Sequence, residues 1–118
     1  MRLSFSKDEK LKSRKLIDLL FTEGKSVKKF PVKMIYLEVE ILEKTQAAFA
    51  VPKKNFKLAV TRNRIKRQMR EAYRIHKSLL TNNNGKKFAI LYVYLGKEKP
   101  AYQQLEIAIH TLLKQLLV

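Results

Sequence analysis

Residues 88–95 read FAILYVYL, and this stretch decides the fold class of the chain. All eight residues are apolar or aromatic, which is typical of a strand that is buried on both of its faces. Such a strand lies inside a sheet and is covered by helices. We therefore predict that residues 88–95 form a central strand, with other strands beside it and helices packed against it.

Two more strands are predicted before this central one. Residues 32–41 (VKMIYLEVEI) are rich in β-branched and aromatic residues, and Tyr36 lies on the face opposite to their apolar row. That apolar row consists of Ile35, Leu37, Val39 and Ile41. Residues 46–51 (QAAFAV) form another apolar run, which Pro52 ends. Both stretches are predicted to pair within the same sheet as residues 88–95.

Three helices complete the predicted order of elements. Ser13 is a suitable N-cap for a short helix over residues 14–23, and Gly24 is a suitable C′ residue. From Pro100 onward, apolar side chains repeat with a helical period, at Leu105, Ala108, Ile109, Leu112, Leu113 and Leu116. A long helix between the second and third strands gives the order α-β-β-α-β-α. This order predicts a single small α+β domain, with helices packed on a mixed, mostly antiparallel sheet.

The composition restricts the function. The 118 residues include 26 Lys and Arg against 10 Asp and Glu, which gives a formal net charge of +16. The absence of cysteine excludes disulfides, thiolate zinc sites and cysteine nucleophiles. With no apolar run of about 18 residues and no signal peptide, a cytoplasmic protein is expected. So large a positive surplus favours a polyanionic partner, with nucleic acid first and an anionic membrane surface second.

The positive charge is concentrated in one segment. Residues 51–77 carry a net charge of +9 and contain a single acid, Glu71. The ten basic residues of this segment are Lys53, Lys54, Lys57, Arg62, Arg64, Lys66, Arg67, Arg70, Arg74 and Lys77. Residues 101–118, by contrast, contain one Lys and one Glu. A generally basic composition therefore does not explain the charge, and the segment is a candidate binding surface.

Most of this segment is predicted to form a helix with Thr61 as its N-cap. At about 100° per residue, an apolar stripe consists of Ile65, Met69, Ala72, Tyr73, Leu79 and Leu80. A cationic stripe lies beside it and consists of Lys66, Arg67, Arg70, Arg74 and Lys77. Because carboxylates are almost absent, i,i+4 pairs do not relieve the repulsion within the cationic stripe. Phosphate groups would relieve it, so the pattern predicts a helix that binds a polyanion.

The residue types favour RNA among the possible polyanions. Arginine outnumbers lysine on the helix, and a guanidinium binds phosphate through two hydrogen bonds or stacks on an exposed base. Nothing in the sequence indicates a DNA-binding dimer, and membrane binding is disfavoured because the cationic stripe flanks a core stripe.

A self-sufficient nuclease would need convergent carboxylates or a histidine pair. Since His76 falls on the apolar side of the helix, no catalytic or metal-binding residue is predicted. A ribosomal or general RNA-binding protein is the alternative function.

Residues 61–73 (TRNRIKRQMREAY) resemble the signature helix of the bacterial ribonuclease P protein component. Before this helix, Lys53 and Lys54 are similar to the paired lysines at the end of the family's preceding strand. The resemblance covers most of the chain, with its helices and strands in family order. It implies a left-handed β-α-β crossover through the signature helix, whereas the general rule predicts a right-handed one.

The resemblance also implies a function. Members of this family are accessory subunits of a ribonucleoprotein that cleaves precursor tRNA to give the mature 5′ end. The RNA is the catalyst, it holds most of the required Mg²⁺, and the protein alone is not expected to cleave. The implied partners are this catalytic RNA and the 5′ leader of precursor tRNA, without DNA, a membrane or a tightly bound cofactor. Residues 1–118 would form one RNA-binding domain with a polar N-terminal extension, residues 1–10.

The resemblance also implies the site residues, through the positions in this sequence that match the family motif. On the signature helix, the residues expected to contact RNA are Arg62, Asn63, Arg64, Lys66, Arg67, Arg70 and Arg74. The supporting contacts are expected from Lys53, Lys54 and Lys57. A cleft between the first helix and the sheet would take the single-stranded leader, lined by Ile17, Phe21 and Tyr36. The family usually has an aromatic residue at the first of these positions, so Phe21 and Tyr36 are the candidates for base stacking.

Overall fold

The computed structural model describes residues 9–40, 42–80 and 86–116. Most of the N-terminal extension lies outside the described residues, as do Ile41 and the side chains of Leu79 and Leu80. The three α-helices of the described chain are α1 (Arg14–Glu23), α2 (Ala59–His76) and α3 (Tyr102–Lys114). The four strands are β1 (Lys25–Lys29), β2 (Val32–Glu38), β3 (Gln46–Ala50) and β4 (Phe88–Tyr94). A short 3₁₀ helix, Lys77–Leu80, follows α2.

The four strands form one mixed sheet in the order β1-β2-β4-β3. The central position predicted for the apolar strand is confirmed, because β4 lies between antiparallel β2 and parallel β3. Since parallel neighbours need a long connection, α2 serves as the crossover from β3 to β4. The predicted α+β fold class is thus confirmed, while the left-handed sense of the crossover stays a prediction.

The edge strand β1 is an element that the sequence pattern does not predict. Its residues, KSVKK, are exposed except for the partly buried Val27, which packs against the core beside α3. With one side chain in contact with the core, the strand leaves almost no hydrophobic alternation to detect. Lysines on an edge strand also discourage pairing with other chains. The observed order of elements is therefore α-β-β-β-α-β-α.

The sheet buries apolar side chains on both faces. Helices α2 and α3 cover one face, and α1 covers the other. Along β4, Ile90 and Tyr92 belong to the core under α2 and α3, whereas Ala89 and Leu91 belong to the core under α1. The alternation along a single strand therefore joins the two layers of helices to one sheet.

Helix α3 confirms the apolar stripe that was predicted after Pro100. Its buried residues are Leu105, Ala108, Ile109, Leu112 and Leu113. The stripe packs against α2 and the sheet, as a core-facing stripe should. In the part of the chain that the structure describes, no helix combines the length and the apolarity that crossing a bilayer would need.

Helix α1 has the predicted bounds, with a different role for the glycine at its end. The backbone N–H of Leu16 donates to the side-chain oxygen of Ser13 at 3.3 Å, which confirms Ser13 as the N-cap. Gly24 has φ −69° and ψ 155°, which is an extended conformation and not a left-handed one. A Cβ at this position would lie 2.4 Å from the carbonyl oxygen of Leu20 and 3.1 Å from Cγ2 of Ile35. Glycine is therefore required by close packing.

We expect the substitution Gly24→Ala to lower the free energy of unfolding by about 1–3 kcal/mol, because the added methyl group forces the end of α1 away from β2. Urea denaturation followed by circular dichroism measures this change. The matched control is Lys25→Ala at the next, exposed residue, for which a change within about 0.5 kcal/mol is expected. Equal stabilities of the two variants would contradict the close packing.

Candidate nucleic-acid interface

Helix α2 separates an apolar face from a basic one. Its buried residues are Ile65, Met69, Ala72 and Tyr73, which confirms this part of the predicted core stripe. Burial of this stripe turns the other side of the helix toward solvent. Asn63, Arg64, Arg67 and Arg70 are exposed, and Lys66 is partly buried. The apolar contacts therefore hold a row of polar and basic side chains outward.

Three arginines of this row have no ion-pair partner within the described chain. Arg64, Arg67 and Arg70 form no salt bridge with any carboxylate of the described residues. No group of the described residues occupies the hydrogen-bond donors of these guanidinium groups, so the donors are open to a ligand in a geometry that suits phosphate. We define Arg64, Arg67 and Arg70 as the arginine row.

Carboxylates pair with the two C-terminal residues of the predicted cationic stripe, Arg74 and Lys77. Nε of Arg74 donates to Oε2 of Glu71 at 2.9 Å, and a second contact joins the same two side chains. The hydrogen bond from Arg74 lowers the pKa of Glu71 below its ordinary value. Lys77 forms a salt bridge with Glu9. The prediction that carboxylates leave this stripe unpaired is therefore wrong at Arg74 and Lys77, because i,i+3 spacing and a distant acid supply partners.

The start of α2 also differs from the prediction. The helix begins at Ala59, and its N-cap is Leu58, which offers no side-chain hydrogen bond, so Thr61 is not the N-cap. Nη1 of Arg62 donates to the carbonyl oxygens of Phe56 at 2.8 Å and Lys57 at 2.9 Å. The Arg62 side chain thus fastens the preceding loop to the first turn of the helix. The Nη1 group of Arg62 is therefore already hydrogen-bonded within the protein.

The loop between β3 and α2 carries the predicted supporting lysines. Lys53, Lys54 and Lys57 are all exposed. Lys54 lines a cavity of about 490 Å³ together with Lys97, which follows β4. The sequence pattern does not single out Lys97, because its place beside the loop depends on the parallel pairing of β3 with β4.

Two further lysines lie beside the arginine row. Lys10 forms a parallel bridge with Ala47 of β3, and the N–H of Leu11 donates to the carbonyl of Ala47 at 3.0 Å. This pairing brings Lys10 and Lys12 to a cavity of about 200 Å³ that Arg70 also lines. The bridge joins distant parts of the sequence, so no local pattern could have identified these two lysines.

The three residues predicted for a leader cleft do not share one face of the sheet. Ile17 packs on the core under α1, and Phe21 on the same helix is 63% exposed. Tyr36 packs instead on the core under α2 and α3, in edge-to-face contact with Phe88 at a ring-centroid distance of 6.1 Å. The placement of Tyr36 in a cleft beside α1 is wrong, because the alternation along β2 points the neighbouring Ile35 toward α1.

The two histidines of the chain meet between α2 and α3. The ring centroids of His76 and His110 are 4.8 Å apart, and Nε2 of His76 lies 3.2 Å from Oε1 of Glu106. Burial, followed by the proximity of His76 and Lys114, lowers the pKa of His110. Within the described residues, no group of three or more His, Asp or Glu side chains is arranged to hold a metal ion.

The histidine contact predicts a pH dependence of stability. Because the pKa of His110 lies below its ordinary value of 6.5 in the folded protein, the unfolded chain takes up this proton first. The contribution of neutral His110 is therefore complete above about pH 6.5 and is lost as the pH falls below that value. We expect the wild-type midpoint of thermal unfolding to fall more between pH 7.5 and 5.5 than that of His110→Gln. Equal pH dependence of the two proteins would contradict this.

The comparisons with known proteins point to ribonuclease P proteins. A family model described as Ribonuclease P matches residues 5–117. The ribonuclease P protein component of Chlorobium phaeobacteroides is 36% identical over 128 residues, covering 96% of this chain and 88% of that protein. The component of Porphyromonas gingivalis is 34% identical over 111 residues, covering 87% of this chain and 79% of that protein.

Solved structures show the same fold. The RNase P protein of Thermotoga maritima superposes with a TM-score of 0.75 at 25% identity, covering 91% of this chain and 96% of that one. The RNase P protein of Staphylococcus aureus gives a TM-score of 0.75 at 20% identity, covering 91% of this chain and 94% of that one. The basic helix and the sheet therefore occur in the arrangement that these structures share.

Proposed function

The chain belongs to the ribonuclease P protein family, and on this basis we propose that it binds the catalytic RNA of ribonuclease P and the 5′ leader of precursor tRNA. A ribonuclease P protein component is a subunit of an endoribonuclease that processes tRNA, so an RNA partner follows from the family. The proposed role is to assist Mg²⁺-dependent removal of the leader, in the cytoplasm, and to broaden the range of substrates.

The observation that carries this proposal is the arginine row on α2. Its three guanidinium groups point away from a buried stripe and have no carboxylate partner among the described residues. Exposed cations that repel each other are stabilised when phosphate groups approach, and the counterions released from RNA add to the affinity. Asn63 and Lys66 flank the row, and the loop lysines extend it. We propose that this surface contacts the catalytic RNA and the substrate near the cleavage site.

Scission is proposed to belong to the RNA. Hydrolysis of a phosphodiester by protein side chains would need a metal held by convergent carboxylates, or a histidine pair at the substrate. The two histidines lie between α2 and α3, where His76 contacts Glu106, and not in the arginine row. Among the described residues, no three or more His, Asp or Glu side chains are grouped so as to hold a metal ion. We propose, in line with the family resemblance, that the RNA holds most of the Mg²⁺ of the holoenzyme.

The leader is proposed to lie on the face of the sheet that α1 covers. Phe21 is 63% exposed on α1, and an exposed aromatic ring can stack on an unpaired base. Ile17 and Ile35 form the apolar floor beside it. Tyr36 takes no part in this contact, because it lies on the opposite face of the sheet.

A cleavage assay tests the proposed function. A bacterial ribonuclease P RNA should cleave precursor tRNA at low Mg²⁺ at least about tenfold faster with this protein, because the protein neutralises phosphates that otherwise repel each other. The protein alone should show no cleavage. Bound ribosomal RNA together with no increase in the cleavage rate would favour the alternative of a general RNA-binding protein.

A pair of arginine substitutions tests the arginine row. We expect Arg67→Ala to weaken the affinity for the catalytic RNA by on the order of 1 kcal/mol and to reduce the slope of log K against log salt by about one unit. Arg74→Ala is the matched control on the same helix, and it should have a smaller effect because Glu71 already neutralises Arg74. Filter binding at several salt concentrations measures both. An unchanged slope for Arg67→Ala would show that this side chain contacts no phosphate.

A further inference from the structure

The hairpin formed by β1 and β2 carries a second concentration of positive charge, away from α2. Residues 24–33 read GKSVKKFPVK, with four lysines and no acid. Lys25, Lys28 and Lys29 are exposed, and Lys33 is partly buried. None of these four lysines has a carboxylate partner among the described residues. The hairpin is therefore a basic element whose charge no carboxylate of the described residues neutralises.

Two of these lysines face each other across the hairpin. Lys28 of β1 is the register partner of Lys33 of β2, so both side chains lie on the same face of the sheet. Like charges directly opposite each other destabilise an antiparallel pair. Such a local conflict is expected mainly where a function requires it. A phosphate group between the two ammonium groups would turn this repulsion into attraction.

The tip of the hairpin presents an aromatic ring. Phe30 lies directly after β1 and is 65% exposed. Lys28 and Lys29 precede it, and the carbonyl oxygen of Pro31 accepts a hydrogen bond from the N–H of Leu95 at 2.6 Å. The tip is thus fastened to the end of the central strand. An exposed ring on a fixed backbone, flanked by cations, is the arrangement on which unpaired bases stack.

The hairpin continues the face that α1 covers. In the sheet register, Lys28 is followed across the strands by Lys33, Val93 and Ala50. Val93 and Ala50 pack on the core under α1, which places the whole row on that face. An extended strand lying on this face would therefore meet the lysine pair and then Phe30.

We propose that the β1–β2 hairpin is a second RNA-binding site, which takes an unpaired stretch of RNA with a base stacked on Phe30 and a phosphate between Lys28 and Lys33. The inference rests on the proposed function for its choice of RNA as the polyanion. The unpaired RNA has two possible sources, the leader of precursor tRNA and a single-stranded segment of the catalytic RNA.

A tryptophan reporter tests the stacking directly. The chain contains no tryptophan, so Phe30→Trp introduces a unique fluorophore and retains an aromatic ring. Addition of a ten-nucleotide single-stranded RNA should quench this fluorescence, whereas Ile107→Trp should stay unquenched. Ile107 is the matched control because it is 62% exposed and lies on α3, in the opposite layer of the molecule. Fluorescence of Phe30→Trp unaffected by the RNA would overturn the proposal.

Affinity measurements test the lysine pair and identify the source of the RNA. The double variant Lys28→Gln/Lys33→Gln should bind RNA at least about fivefold more weakly and reduce the salt slope by about 0.7, since the two lysines share one phosphate and each phosphate contact on a single strand contributes about 0.7. The control is Lys44→Gln/Lys114→Gln, which removes two exposed lysines elsewhere. A loss with precursor tRNA and none with mature tRNA indicates the leader, and a loss with catalytic RNA alone indicates that RNA. Equal affinities of the two double variants would overturn the proposal.

The outcomes separate this inference from the proposed function. Suppose that the wild-type protein raises the cleavage rate, and that the Phe30→Ala and Ile107→Ala variants bind RNA with equal affinity. The hairpin site is then wrong and the proposed function stands. If the wild-type protein does not raise the cleavage rate, the proposed function fails, and quenching of Trp fluorescence by RNA still supports the hairpin site. Quenching by phosphatidylserine vesicles in the absence of quenching by RNA would overturn the hairpin site in favour of a membrane surface.

Discussion

Burial of β4 on both faces is the constraint on which the rest of the structure depends. Its side chains alternate between two cores, with Ile90 and Tyr92 under α2 and α3, and Ala89 and Leu91 under α1. Because a strand of this kind cannot be exposed on either face, helices must cover both, and β2 and β3 must pair with its two sides. The layered arrangement then fixes where each helix presents its polar side.

The basic surface is a consequence of this packing. The buried stripe of α2 contains Ile65 and Met69, both almost fully inaccessible, and it faces the sheet. The arginine row lies on the part of the helix that the stripe leaves outside, so hydrophobic burial keeps like charges side by side. The free energy from the apolar stripe offsets their mutual repulsion in the absence of RNA, and that repulsion then favours binding of a polyanion.

The periodicity of apolar residues made the protein interior predictable from the sequence. Features that depend on contacts between distant residues could not be predicted in this way. The apolar run of β4, the N-cap at Ser13 and the core stripe of α2 are each encoded by neighbouring residues, so sequence reasoning found them. Strand β1 contacts the core through Val27 alone and leaves no such pattern. The Glu9 partner of Lys77 is 68 positions away in the sequence. The alternation along β2 already placed Tyr36 opposite to Ile35, whereas its assignment to the cleft rested on position in a family motif, which does not specify the face of the sheet.

The hydrogen bonds of Arg62 have a further consequence for binding. Its Nη1 donates to two successive carbonyls, of Phe56 and Lys57, and so ties the loop before α2 to the first turn of the helix, where Leu58 supplies no side-chain cap. The loop with its lysines is therefore ordered when the chain folds, and little conformational entropy is left to be lost when RNA arrives. An arginine inside a binding motif can thus contribute to affinity by preorganising its neighbours, without itself touching the ligand.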